Sequence, residues 1–149
     1  MVLVHATAVL VEGAGVLIRG PSGSGKSDLA LRLIDRGGVL VADDQTRIER
    51  RGGALIASAP PAIAGKLEVR GVGIVDLPFA AEAPLALAVD LVSPAQVERL
   101  PAPQQTEILG VLLSVLALAP FEASATVKLR IALDSHRLGI IPGVSPDRP

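Results

Sequence analysis

The stretch GPSGSGKS at residues 20 to 27 constrains the fold more than any other part of the chain. It fits G-x-x-x-x-G-K-[ST] at every fixed position, and that pattern has a physical meaning in one setting. The loop must leave a strand and enter a helix, so that successive backbone N–H groups turn onto phosphate oxygens and the positive end of the helix dipole backs them. The flanks supply this setting. Residues 15 to 19 are an aliphatic run, and from Ser27 onward Leu29, Ala30, Leu33 and Ile34 fall on one helical face while Asp28, Arg32, Asp35 and Arg36 take the other. Gly37-Gly38 ends that helix. Gly20, Gly23 and Gly25 permit the unusual backbone angles, Pro21, Ser22 and Ser24 complete the cradle, Lys26 would reach the β- and γ-phosphates, and the Ser27 hydroxyl would ligate Mg²⁺. A bound nucleotide is the expectation.

Around the loop the chain reads as an α/β domain. Residues 2 to 11 and 15 to 19 are broken at Gly13-Ala14-Gly15, which predicts two strands joined by a tight turn. VLVA at 39 to 42 follows the helix as a continuous apolar run, the pattern of a parallel strand buried on both faces. TRIER and ALIAS flank Arg51-Gly52-Gly53 and predict a hairpin; the Gly-rich stretch from 65 to 78 reads as a flexible loop. Residues 85 to 92 predict a strand, followed from Ser93-Pro94 by a short polar segment with Glu98 and Arg99. Residues 108 to 119 also read as a strand, with a closing helix after Pro120. Residues 1 to 138 are read as one domain, and 139 to 149, with three prolines and two glycines, as a flexible tail.

Composition narrows the chemistry. The net charge of -1 comes from interspersed signs without a basic run, which argues against nucleic acid as a partner. With no cysteine, disulfides, thiolate catalysis and Cys-based metal sites are excluded. The N-terminus lacks a basic lead and a cleavage site, and the longest apolar run, Val111 to Pro120, is far short of the roughly 20 residues that span a bilayer. A cytoplasmic protein with no membrane contact is expected.

Several residues outside the loop are candidates for chemistry. Asp43 and Asp44 stand sixteen and seventeen residues beyond Ser27, at the end of the next apolar strand, where the carboxyl rim of an α/β sheet would set them beside the phosphates. One carboxylate there can orient Mg²⁺ or its water and another can accept a proton; the plain alternative is a pair of solvated turn residues. His5 could hydrogen-bond such a carboxylate or be a structural histidine, and His136, near a helix end, reads as a solvated cap. Glu68 and Arg70 could complete a metal shell and grip a phosphate, or form an exposed ion pair on a turn.

Taken together, VHATAV, GPSGSGKSDLAL, VADD, APPAIAGKLEVRGVGIVD and VERLP resemble, in order and spacing, the catalytic domain of the HPr kinase/phosphorylase family, bacterial serine kinases of the phosphocarrier protein HPr. LEVRGVGI carries more of this likeness than the loop does. The resemblance implies a P-loop kinase core related to phosphoenolpyruvate carboxykinase, with a mixed sheet and flanking helices. It implies ATP and Mg²⁺ as cofactors, HPr as partner, and a homo-oligomer, a hexamer in the family. Position by position it implies Asp43 as the proton acceptor, His5 beside that aspartate, Lys26 as the phosphate lysine, Ser27 and Glu68 as magnesium ligands, and Arg99 as the arginine that holds the phosphoryl group or its carrier. The catalytic region begins almost at Met1, where a typical member has a further N-terminal domain, and so resembles the short α-proteobacterial form; the family's C-terminal helix is largely replaced by the tail. The family's PV-x-x-GR segment, associated with dephosphorylation, falls on GVLLSV at 110 to 115, so its arginine has no counterpart and phosphorolysis is left open. A small-molecule kinase and a non-catalytic nucleotide-binding regulator are the rival readings.

Overall fold

In the computed structural model, which describes residues 1 to 137, the chain opens with β1 (Val2–Val4), β2 (Ala6–Val11) and β3 (Ala14–Arg19) and then enters α1 (Lys26–Asp35). There follow β4 (Val39–Ala42), β5 (Thr46–Arg51), β6 (Ala54–Ser58), β7 (Lys66–Val69), β8 (Gly73–Asp76), β9 (Ala83–Leu91), β10 (Gln104–Ile108), β11 (Val111–Leu118) and α2 (Ala125–Arg137). The tail expected at 139 to 149 lies outside the described residues.

Among the described residues nine strands form one mixed sheet, with β1, β5, β6, β9, β3, β2 and β4 as successive neighbours and β11, carrying β10, joined to β9. β9 runs parallel to both β3 and β11. Side-chain alternation sorts two faces. Val9 and Val11, Val16 and Ile18, and Leu87 and Val89 meet Leu29 and Leu33 of α1 and Leu129 and Leu133 of α2. On the reverse face Ala6, Ala8, Leu17 and Val41 meet Ile48, Leu55 and Ala57 of the curled-over hairpin β5–β6. Leu29, Leu129 and Leu133 are fully buried, and each such side chain contributes about 1.5–3 kcal/mol relative to exposure. No helix among the described residues is long and apolar enough to cross a membrane.

Three expectations differ from the structure, and one strand was not expected at all. The run from 2 to 11 is divided at a bend on His5: β1 pairs with β5, whereas β2 pairs with β3 and β4. β4 is not a parallel neighbour of the loop strand. The β2–β3 hairpin places β2 beside β3, so β4 pairs antiparallel with β2, and its other edge is covered at Leu40 by a bridge to Phe79. The Gly-rich stretch is a β7–β8 hairpin rather than a loop, turned at Val69 to Val72 with Gly71 at φ 86°. Its Leu67 is fully buried in the helix-side core, which gives the hairpin its anchor. QQTEI at 104 to 108 has no apolar alternation, yet it forms β10 because the Leu109-Gly110 turn folds it back onto β11.

The topology sends several chain segments to one rim. β3, β9 and β11 are parallel, and β4, antiparallel to β2, runs the same way as β3. The phosphate-type loop, Val92-Ser93, Ala119-Pro120 and Asp43-Asp44 therefore all follow strand ends at that rim, which is where open α/β sheets bind ligands. A bidentate ion pair, Arg19 Nε to Asp90 Oδ1 at 2.7 Å and Nη2 to Oδ2 at 3.0 Å, ties the ends of β3 and β9 beneath the loop.

Candidate functional site: a phosphate-type loop beside two aspartates

The loop has the backbone that its glycines predict. Gly23 and Gly25 lie at φ 78° and 104°, in the left-handed region that a side chain disfavours. Gly25 caps α1 with no side-chain cap hydrogen bond from any described residue, which leaves N–H groups at the start of the helix open to an anion. A Cβ on Gly20 would meet Ser24 Oγ at 2.5 Å, so the loop closes over itself there too. Lys26, 6% exposed, returns across the loop to donate from Nζ to the carbonyls of Gly20 at 2.8 Å and Pro21 at 3.0 Å. An ammonium has three donors, so one remains for an anion.

The two aspartates have different surroundings, and a bulge decides which has which. In the β2–β4 ladder Val9 pairs with Leu40 but Ala8 with Ala42, leaving Val41 as an extra residue. The extra residue reverses the alternation and turns Asp43 toward the helix face, where Thr7 and the start of α1 lie. Asp43, 8% exposed, accepts at Oδ1 from Ser27 Oγ at 2.7 Å and Thr7 Oγ1 at 3.1 Å, and at Oδ2 from the Glu68 N–H at 3.1 Å. Asp44 sits at the centre of a three-residue turn closed by Gln45 N–H to the Asp43 carbonyl at 2.8 Å, with φ 67°. That is the γ-turn conformation, rare and strained, of the sort that persists where surrounding contacts over-determine it.

His5 corrects a pairing. Its Nε2 lies 2.6 Å from Asp44 Oδ1, so the histidine is beside Asp44 and not Asp43. Both side chains are about half exposed or more, at 51% and 64%. The bend that separates β1 from β2 is what swings the imidazole over the Asp43-Asp44 turn.

Thr7 escaped the sequence reading. It is fully buried, donates to Asp43 Oδ1, and accepts the Asp44 N–H at 3.0 Å, so one hydroxyl holds both aspartates. The signal was available: Thr7 shares the two-residue period of Val9 and Val11 and is the one polar side chain on that stripe. Thr7→Val keeps the shape but strands the Asp44 N–H and removes a donor to Asp43, which is expected to cost about 1–3 kcal/mol in denaturant unfolding. Thr7→Ser should recover most of that loss, and a Thr7→Val protein as stable as wild type would remove Thr7 from this role.

Glu68 contributes its backbone N–H to Asp43, while its carboxylate is exposed on β7. Arg70 and Arg99 are exposed and form no hydrogen bond or ion pair with any described residue, so Glu68 and Arg70 are not the ion pair considered from sequence. His136 is exposed within α2, its Nδ1 3.5 Å from Ser114 Oγ and away from the loop.

Among the described residues no group of three or more His, Cys, Asp or Glu side chains could hold a metal alone. Mg²⁺ at a phosphate site does not require one, because it keeps several waters and takes phosphate oxygens with one or two protein oxygens. The Ser27 hydroxyl and the Asp43 carboxylate, joined at the helix start, fit that demand, and the left-handed glycine loop fits a polyphosphate.

A strand, a glycine loop with its lysine, a helix, and a carboxylate from the far side of β2, all on a mixed sheet with flanking helices, define the P-loop kinase core related to phosphoenolpyruvate carboxykinase. Residues 1–119 match the family described as HPr Serine kinase C-terminal domain, and the chain belongs to that family. An HPr kinase/phosphorylase of Clostridium tetani is 54% identical over 74 residues, which are 50% of this chain and 24% of that relative. One of an Exiguobacterium species is 49% identical over 78 residues, 52% of this chain and 25% of the relative. The chain thus spans about a quarter of the length of the curated relatives it matches. Among solved structures, that of the Hpr(Ser) kinase/phosphatase from Coxiella burnetii matches with a TM-score of 0.83 at 28% identity, covering 93% of this chain and 98% of that one.

Proposed function

We propose that the protein is a cytoplasmic, ATP- and Mg²⁺-dependent kinase that phosphorylates a serine of the phosphocarrier protein HPr. The observation that carries this reading is the linked row Ser27–Asp43–Thr7–Asp44–His5, which sets a shielded carboxylate at the loop's serine and an accessible one beside it. The loop amides and Lys26 hold the phosphates and neutralise charge that builds on the transferring group. Asp43 is enclosed by three donors and orients Ser27; with that hydroxyl, and with Glu68 at its margin, it would hold Mg²⁺, whose charge offsets that of the phosphates. The proton-acceptor role therefore moves from Asp43 to Asp44, whose carboxylate is open to an incoming serine and is positioned by His5. The serine Oγ attacks the γ-phosphorus, its proton passes to Asp44, and ADP leaves with the bridging oxygen. Arg99, exposed and unpaired among the described residues, has its guanidinium available to the phosphoryl group or to the carrier.

Association of copies belongs to the same proposal, and Val127 and Ile131, four residues apart and exposed on α2, support it. Phosphate-dependent dephosphorylation of the same serine belongs to the proposal as the reverse reaction, although residues 110 to 115, Gly110 and the first five residues of β11, contain no arginine. The test incubates the protein with γ-labelled ATP, Mg²⁺ and HPr from the same cell and looks for label on a serine. Labelled HPr supports the kinase; nucleotide bound with HPr unlabelled favours a non-catalytic regulator. Inorganic phosphate added to phosphorylated HPr then measures the reverse direction.

A further inference from the structure

A cavity of about 560 Å³ opens on the side of the loop away from the aspartates. The loop itself forms one wall, through Pro21 and Ser24; Leu91 at the end of β9 and Pro94 beyond it form another, and Pro120 and Phe121 after β11 the third. β3 lies between β9 on this side and β2 on the other, so a ligand laid across the loop has one end here and the other at Asp44.

Three features of the cavity call for a flat, partly polar occupant. Phe121 is one of only two aromatic residues in the chain, yet it is 72% exposed, and its ring stands over the loop at the level of Gly25, where a Cβ would meet it at 2.8 Å. The ring is held there by a built turn. The Pro120 carbonyl accepts from Arg32 Nη2 of α1, the Ala125 N–H donates to the Glu122 carbonyl at 3.1 Å, and Lys128 pairs with Glu122 at 2.8 Å. Ser24 contributes to the cavity wall, and its Oγ, buried inside the loop next to Gly20, has no hydrogen-bond partner among the described residues. A buried hydroxyl without a partner is uncommon and points to a group that completes it.

We propose that this cavity is the base subsite of the nucleotide whose phosphates occupy residues 20 to 27, with the purine ring stacked on Phe121 and Ser24 at the edge nearest the phosphates. The inference rests on the nucleotide-binding reading and adds to it which face of the loop receives the base. The cavity's size is within the range of small-ligand sites, and an exposed aromatic ring offers stacking that tolerates any purine. Another cavity of about 560 Å³, between Gln104, Ser114 and His136, shares only Gln96 with this one and includes no loop residue, so it does not compete for the same nucleotide.

The probes are ADP and inorganic pyrophosphate, which share the phosphates and differ in the base. Phe121→Ala is expected to weaken ADP about 5- to 100-fold by calorimetry while leaving pyrophosphate unchanged. Because the chain contains no tryptophan, Phe121→Trp introduces a single indole whose fluorescence should be quenched by ADP and not by pyrophosphate. Unchanged ADP affinity in Phe121→Ala, or equal responses of the indole to both probes, would overturn the base subsite while leaving the phosphate loop standing. Wild-type protein that binds neither probe would overturn both.

Discussion

Asp44→Asn is expected to lower phosphoryl transfer to HPr by about 10²- to 10⁴-fold, the range that general base catalysis commonly supplies, with ADP affinity and unfolding close to wild type. The structure gives the reason for the split. Among the described residues the Asp44 side chain is bonded only to His5, and it is mostly exposed, so little stability rides on its charge. Its fold-determining contact is the backbone N–H to Thr7, which Asn retains, and Asn tolerates the positive φ of the turn. Asp43→Asn should behave differently, because its amide nitrogen must face at least one of three donors in a buried place. That variant is expected to lose about 1–3 kcal/mol of stability along with activity. If instead Asp43→Asn abolishes transfer in a protein as stable as wild type, and Asp44→Asn stays active, the proton acceptor is Asp43.

The distinction between these neighbours shows where sequence stops being legible. The conformation of the loop could be read outright, since everything that shapes it is local: glycines at the left-handed positions, a lysine at the helix start, an apolar strand before and an amphipathic helix after. β3, α1, β9 and β11 were readable for the same reason, as their periodicity is a property of contiguous residues. The side of β4 that Asp43 faces is not such a property. It depends on a bulge at Val41, created by pairing with β2, and two carboxylates one residue apart exchange surroundings with the presence of that one extra residue. The place of β4 beyond β2 is likewise set by the Glu12-Gly13 turn, which gives β2 the position beside β3. β10 was invisible because a polar edge strand carries no hydrophobic period. The glycines of residues 65 to 78 pointed to flexibility, whereas Leu67 pins the segment to the core and Gly71 and Gly73 serve its turn.

Lys26→Ala is the complementary case, in which binding itself should fail. The ammonium is 6% exposed and lies across the loop between the Gly20 and Pro21 carbonyls, already in place when a polyphosphate arrives. Removing one member of a buried, hydrogen-bonded charge pair costs about 2–5 kcal/mol in complexes of this kind. That corresponds to ADP affinity weaker by roughly 30- to 4,000-fold, measurable by calorimetry, and transfer should fall with it. Unfolding is a separate matter. Pro21 is exposed and Gly20 is half-buried, so water can satisfy carbonyls that lose the lysine, and thermal stability should change by less than about 1 kcal/mol. Lys26→Arg should not restore binding, because a planar guanidinium fork does not fit where a compact ammonium bridges two carbonyls of one tight turn. An ADP affinity unchanged in Lys26→Ala would mean that the loop's glycines close on something other than phosphate, and with it the row from Ser27 to His5 would lose the end of the nucleotide it is arranged to meet.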